Sequence, residues 1–352
     1  MSSSKRLAAL TAITAVASLA LVATASARTL VVAPGHSIQA KIDKADPGDT
    51  VLVRSGVYHQ SLDIDKRLDL HGQGAVLVQG GVGKSLCNQM DPSHKHLVGI
   101  CVHAKLKFAG GAPQITHRTQ GVEISGFRVR GFGGDGLFGF GTRGLHIHNN
   151  RFGHNGGYGV FSINGGRVHI VRNVARDNHE FGFYVGDSPR ARAEIRGNRS
   201  VGNPGGILLR HASHGVVKHN VLAHNCVGIW ALADAPGPAK DWTIAGNRLW
   251  ANNKACAGGG DEGPPLSGIG ILQLGAQEIA IRNNVIRGQR KEHPSAAYGG
   301  IVIRPGFSGT KPSGVVANNL ALGNRLDINW DGSGQIRFRS NQCQRSRPGR
   351  VC

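Results

Sequence analysis

Acidic residues are scarce in this chain of 352 residues: 21 Asp and Glu stand against 41 Lys and Arg, a formal charge of +20. With the acids so thinly spread, no two or three converge on one strand end, so an Asp-rich calcium site is not expected. Aromatic residues make up only 5% of the chain, so a column of them would call for an explanation. The six cysteines contain no C-x-x-C pair, which argues against zinc. Beyond residue 23 no apolar run approaches the ~20 residues that a membrane-spanning helix needs. No helical stripe runs through residues 145–324, which argues against helical and leucine-rich repeats. No nucleic-acid-binding motif is present either.

What is present is a repeat. LHIHNNRFGHNGGYGVFSI (145–163), VHIVRNVARDNHEFGFYV (168–185), AEIRGNRSVGNPGGILLR (193–210) and VVKHNVLAHNCVGIWAL (216–232) follow one pattern. An apolar residue stands three before an Asn, a second Asn follows five later, and a Gly-led apolar strand comes next. The Asn pairs are Asn150/Asn155, Asn173/Asn178, Asn198/Asn203, Asn220/Asn225, Asn247/Asn252 and Asn319/Asn324, with Asn284/Gln289 as an imperfect copy and Phe127 at the Asn position of a degenerate first one. The first Asn recurs after 23, 25, 22, 27, 37 and 35 residues, so the two long gaps are a repeat plus an insertion. Such a period marks a solenoid, whose units bury their apolar faces by stacking.

Apolar residues alternate with period two (Leu145 and Ile147, Val168 and Ile170, Ile279 and Ile281), so the elements are strands. About 23 residues divide into three short strands and three turns, one coil of a parallel β-helix, and parallel connections are right-handed. The recurrent Asn is expected to take a left-handed turn conformation. Stacked at ~4.8 Å, its amide can also bond the copies above and below. Over residues 30–340 the pattern resembles the right-handed parallel β-helix repeat family, which includes pectate lyases, other polysaccharide lyases, mannuronan epimerases and many secreted proteins. The resemblance implies an all-β, single-stranded right-handed parallel β-helix of about ten coils with a short N-terminal capping helix. It implies fold far more than reaction.

The amino terminus reads as an export signal: Lys5 and Arg6, an apolar run from Leu7 to Ala23, then Ala25-Ser26-Ala27 as a cleavage site. A secreted chain starting at Arg28 is expected, with no membrane span after cleavage and a charge of +18. An even cysteine count in such a chain suggests disulfides. Order leaves the connectivity open; neighbour pairing would join Cys87 to Cys101, Cys226 to Cys256 and Cys343 to Cys352. The positive charge would draw an acidic polysaccharide or an anionic cell-wall polymer. Export argues against nucleic acid, and a monomer is expected.

In chain order, TLVVA (29–33) is a first strand. HSIQAKIDKADPGD is a helix capped by Ser37, with Ile38 and Ile42 on one face, closing the end of the stack. The IQAxID…PGDTVLVxxGVY wording is similar to the amino-terminal cap of β-helix proteins. The expected divisions are a signal at 1–27, a β-helix at 28–340 and a basic tail at 341–352. Within the helix, 28–80 is cap and first coils, 81–120 a disulfide-pinned insertion, and 121–340 regular coils. Further insertions leave one side of the solenoid at about 253–267 and 288–298.

The strands after the second Asn supply the candidate site. The residue after Gly points inward in each copy, so the next points out: Phe138, Phe161, Tyr184, Leu208, Trp230 and Val302. This stripe, aromatic in four of six copies, is read as an open groove on which sugar rings stack, the alternative being residues shielded by the insertions. Polar residues gather past the strands: Asn164, Asp187, Arg210, His211, Asp234 and Arg304. On the near side lie Asp135, His179 and Glu180. Abstracting a proton beside a sugar carboxylate needs a cation for the carboxylate and groups that shuttle protons. Arg210 or Arg304 would supply the first, and His211, or Tyr184 with Asp187, the second.

Asp177-Asn178-His179-Glu180 partly resembles the D-P-H-E signature of mannuronan epimerases, with Asn in place of Pro and no Tyr-Gly-Phe before it. That resemblance implies catalytic roles for His179 and Glu180. Paired Asp motifs of polygalacturonase type are absent. His146, His169 and Glu194, with His148 two along, stack on another sheet and are read as a polar outer face, so no metal and no cofactor are assigned. The expected function is that of an exported carbohydrate-active protein on an acidic polysaccharide, as a lyase or uronate epimerase. The alternative is a non-catalytic glycan- or cell-wall-binding or structural surface protein.

Overall fold

The computed structural model describes residues 26–90, 93, 95–109, 112–234, 237–258 and 264–352. Residues 1–25 of the expected export signal (1–27), Gly110-Gly111 and residues 259–263 of the second insertion lie outside them. Parallel strands follow one another up a solenoid with three faces. The first face runs from Thr29–Val32 and Thr50–Val53 through Glu123–Ser125, His146–His148 and His169–Val171 to Gln335–Arg339. The second has ten short strands, Val57–His59 to Leu320–Leu322. The third begins at Leu62–Ile64 and includes Ile100–His103, Leu137–Phe140, Val160–Ile163, Phe183–Ser188, Val227–Leu232, Ile269–Leu274 and Gly299–Arg304. Gly205–Lys218 belongs to two faces, pairing first with Phe183–Ser188 and, past the corner, with Ala193–Arg196.

Register is kept from coil to coil. Leu62, Ile100, Leu137, Val160, Phe183, Ile207, Ile229, Ile271, Ile301 and Ile328 form one inward column, every member fully buried. A strand buried in this way is stabilised by about 1.5–3 kcal/mol per large aliphatic side chain.

The Asn residues form two buried tracks. The Oδ1 of Asn173 accepts from both the backbone N (2.9 Å) and Nδ2 (3.2 Å) of Asn150, while Asn173 Nδ2 donates to Ile147 O. The same bonding links Asn173, Asn198, Asn220, Asn247, Asn284 and Asn319, and reaches Asn341 in the tail. The second track runs from Asn155 through Asn178, Asn203, Asn225, Asn252 and Gln289 to Asn324, ending on Asp327 Oδ1. One expectation is corrected here. The left-handed residue is the one before each track Asn: Asn149, His154, Arg172, Asp177, His219, His224, Ala251, Asn283 and Asn318, with Gly at 197, 202, 246, 288 and 323. The track Asn is kept for its amide, which alone both gives and accepts between coils.

Ser37 Oγ accepts from Ala40 N at the start of the helix Ile38–Lys44, whose Ile38 and Ile42 seal the first coil. Neighbouring cysteines pair as expected: Cys87 with Cys101, Cys226 with Cys256, Cys343 with Cys352. The first insertion holds a one-turn helix, Leu86–Gln89, and an antiparallel hairpin, Lys105–Ala109 with Ala112–His117. The tail continues the stack, since Ser346–Arg347 pairs with Ile328–Asn329. Among the described residues no helix is long and apolar enough to cross a membrane.

Candidate functional site

The polar residues that follow the third-face strands converge. Gly186 lies opposite Arg210 in register. The Tyr184 side chain folds over Gly186, where a Cβ would come within 2.5 Å of its hydroxyl, so only glycine leaves that space. The Tyr184 hydroxyl thereby faces the Arg210 guanidinium. Burial pushes the Tyr184 phenol up to about 12, with nearby Asp187 adding to the rise and Arg210 opposing it. Arg210 is gripped by Asp234, its Nη2 2.9 Å from Oδ2 and its Nε 3.2 and 3.1 Å from the two carboxylate oxygens. That grip holds the guanidinium above its ordinary pKa despite partial burial.

His211 sits at the corner where the chain turns from the third face to the first. Both His211 (φ 49°) and Asp187 (φ 46°) take the left-handed conformation, uncommon outside glycine. The buried His211 ring is clamped between two acids. Its Nδ1 hydrogen-bonds Asp187 Oδ1 at 2.9 Å, and its Nε2 touches Asp234 Oδ1 without the alignment of a hydrogen bond. Tyr184, Asp187, Arg210, His211 and Asp234 are therefore one connected group.

A second group lies across the strand. Asp135 Oδ1 accepts from Tyr158 N at 2.7 Å. The residue retains some exposure, but its carboxyl is enclosed, and that desolvation raises it to about 7, with the Glu180 charge contributing. Burial, then Glu180, also drives the Tyr158 phenol well above its ordinary range. The Tyr158 ring stacks on Phe161 at 4.7 Å and lies edge-on to Tyr184 at 5.1 Å, so it joins the two groups. Phe138 extends the floor, stacked on Phe161 at 5.0 Å. Sequence reasoning gave Tyr158 no role. The available signal was its place two residues before the strand Val160–Ile163, one coil from Tyr184.

Beside Asp187 opens a depression of about 610 Å³ lined by Arg118, Arg143, Arg167, Arg190 and Arg192. Asp187 is the one acid in its lining, and among the described residues no ion pair engages any of these five arginines. Arg118 is anchored by donating to the Asn164 carbonyl.

Other expectations need correction. The outward stripe is not an open groove along its length: Trp230 is only 8% exposed, Tyr184 3%, and Leu208 and Val302 are buried. Leu266, Cys256 and Ala297, from the two later insertions, pack over Trp230 and its neighbours. Trp230 meets Phe181 at 6.2 Å instead of solvent. Phe138 and Phe161 remain half-buried, and only this part of the stripe is accessible. Arg304 stands apart, donating to the Asn329 carbonyl (2.9 Å) and Oδ1 (2.6 Å), three coils beyond Arg210. His179 lines a separate depression with Gln79, His154 and Asp177, while Asn178 between them is a buried track residue. The D-N-H-E run is thus chiefly a turn, and of its members only Glu180 approaches the site.

The family described as "Right handed beta helix region" matches residues 99–249 and 135–343. The chain belongs to that family. No curated protein matches the sequence. Among solved structures, the family fold recurs in the Azotobacter vinelandii mannuronan C-5 epimerase AlgE4 A-module: 17% identity, 88% of this chain and 91% of that one, TM-score 0.58. The AlgE6 A-module of the same organism gives 19% identity, 88% and 90% coverage and a TM-score of 0.54. At these identities the likeness is one of fold.

Proposed function

We propose that this protein is exported and acts on an acidic polysaccharide, as a lyase or a uronate epimerase. The observation that carries the reading is the convergence of Arg210 with the Tyr184 hydroxyl, Tyr158 packing edge-on to Tyr184, beside an arginine-lined depression. Both reactions begin by removing the proton next to a sugar carboxylate, and the resulting charge must be met by a fixed cation. Arg210, locked by Asp234, serves that role, and the unpaired arginines engage carboxylates on neighbouring sugars. Tyr184 stays protonated at neutral pH and donates. Asp135, near 7, accepts, with Glu180 and Tyr158 alongside. His211, clamped by Asp187 and Asp234, is a positioning residue. Phe138 and Phe161 offer the sugar an apolar floor. The epimerase A-modules named above, which share this fold, support the choice of substrate class.

The burial of Tyr184 and His211 favours a second reading, a non-catalytic module that holds an anionic glycan or cell-wall polymer through the same arginines. Incubating the protein with alginate, pectate and glycosaminoglycans separates the two. Unsaturated ends seen by ultraviolet absorbance indicate elimination, and altered uronate stereochemistry by proton NMR indicates epimerisation. Retention on an anionic glycan column without product indicates binding alone, and failure of both turnover and retention sinks both readings.

A further inference from the structure

On the first face, well away from the site just described, a second set of polar side chains comes together. Glu123 pairs in register with His146 of the next coil, and Ser125 with His148, so Glu123, His146 and His148 all project from the outer side of that face. Glu123 Oε1 lies 2.7 Å from His148 Nε2, Glu123 Oε2 lies 3.9 Å from His146 Nδ1, and the two imidazole rings are 4.6 Å apart. One ligand atom from each residue lies within 4.8 Å of the others. We propose that Glu123, His146 and His148 bind a borderline divalent metal ion of the zinc class.

Two imidazole nitrogens and a carboxylate are a donor set suited to zinc, cobalt, nickel or copper, whereas calcium and magnesium take oxygen ligands. Bonds of about 2.0–2.2 Å to a central ion need ligand atoms a little over 3 Å apart, within reach of small rotations of partly exposed side chains. The Glu123–His148 hydrogen bond holds the carboxylate where such an ion would replace the shared proton. Asn149 Nδ2 lies 2.8 Å from His148 Nδ1 and donates to it. Turning that amide over would offer its oxygen instead, leaving Nδ1 as N–H and Nε2 free to ligate.

Two further features point to a ligand. Asp69, one coil before Glu123 in the same column, has a buried Oδ1 without a hydrogen-bond partner. A depression of about 400 Å³ opens over Glu123 and His146 because Gly121 and Gly144 present no side chains, with Arg167 and His169 at its edge. Three protein ligands leave a coordination position open to that space. The bound ion would tie two coils together. Among the described residues the other comparable cluster, Asp63, Cys101 and His103, is unsuitable because the Cys101 sulfur is bonded to Cys87.

The test uses the full chain without a histidine tag, freed of metal with a chelator, then titrated with zinc by calorimetry and with cobalt by visible spectroscopy. Wild type is expected to bind zinc, with the affinity falling roughly tenfold or more in Glu123→Gln and in His148→Gln. His169→Gln, on the neighbouring coil, should retain wild-type affinity. Circular dichroism and melting of the metal-free variants should match wild type, since the replaced side chains are solvent-facing. No zinc binding by wild type, equal binding by Glu123→Gln and His148→Gln, or a loss confined to His169→Gln would each overturn the assignment.

Discussion

The outward column of the third face has two halves built from similar residues and put to different uses. At Phe138, Phe161 and the neighbouring Tyr158, rings stack on one another and stay half-open to solvent. From Leu208 through Trp230 to Val302 the same strand position is sealed under segments that include the Cys226–Cys256 disulfide and Leu266. A strand position fixes which way a side chain points; the chain that passes over it decides whether solvent, ligand or core is met there. The sealed half is a second small core, separate from the one inside the coils.

The largest expected contrast comes from truncating one ring in each half. Trp230→Ala should cost about 3–5 kcal/mol, as for a buried aromatic, while Phe138→Ala should cost well under half of that. Denaturant midpoints at a constant m-value measure both. Retention on an anionic glycan should show the reverse order, with Phe161→Ala weakened and any folded Trp230 variant unchanged; a loss at Trp230 alone would overturn the division into open and sealed halves.

Replacing Cys226 and Cys256 together by Ser unties a segment of 30 residues and should cost roughly 3–4 kcal/mol by loop entropy. The same change at Cys87 and Cys101, separated by 14, should cost roughly 3. Only the former should shift tryptophan emission to the red, because it uncovers Trp230. Asn198→Ala belongs to both halves, since the amide tracks run through all these coils. It leaves Asn173 N without its buried acceptor and should cost about 1–3 kcal/mol, read from thermal melting.

The open half carries a further pH signature. Asp135 is raised from its ordinary value of 3.8 to about 7, so the folded protein holds a proton there that the unfolded chain releases. Its contribution is fully present below about pH 4 and is lost as pH rises toward about 7, on the order of 2 kcal/mol after allowing for partial exposure. Asp135→Asn should remove that slope and leave the variant more stable than wild type at pH 8. An unchanged melting profile would mean the carboxyl is ionised at low cost.

Much of this was legible in the sequence. Period-two alternation and the recurring Asn pairs gave the coils, their register and the inward columns. Cysteine order leaves the connectivity open, and the fold keeps the neighbour pairing among the possibilities. Tyr184, Asp187, Arg210, His211 and Asp234 hold like positions on adjacent coils, and the repeat alone makes them neighbours. What was not legible depends on segments without a period. The cover over Trp230 comes from insertions whose path no repeat dictates. Tyr158 and Asp135 act through turns that bring them against Phe161 and Glu180. Arg304 and His179 share the repeat positions of the site residues without joining them. Arg304 is three coils along, and His179 lies on the far side of a buried Asn. The left-handed conformation falls one residue before the position that the Asn repeat suggests, because Asn suits both a turn and an amide stack.

The end of the second amide track has a consequence for assembly. Asp327 occupies the seat that the next coil's Asn would take, accepting from Asn324 N and Nδ2 with one oxygen and from Gln344 N and Arg345 N with the other. A carboxylate has lone pairs and no N–H, so it receives the last link of the chain of amides and passes nothing on. Another copy laid end to end would find no donor waiting there. The second track therefore stops at Asp327, while the first runs on to Asn341 and strand pairing on to Ser346–Arg347.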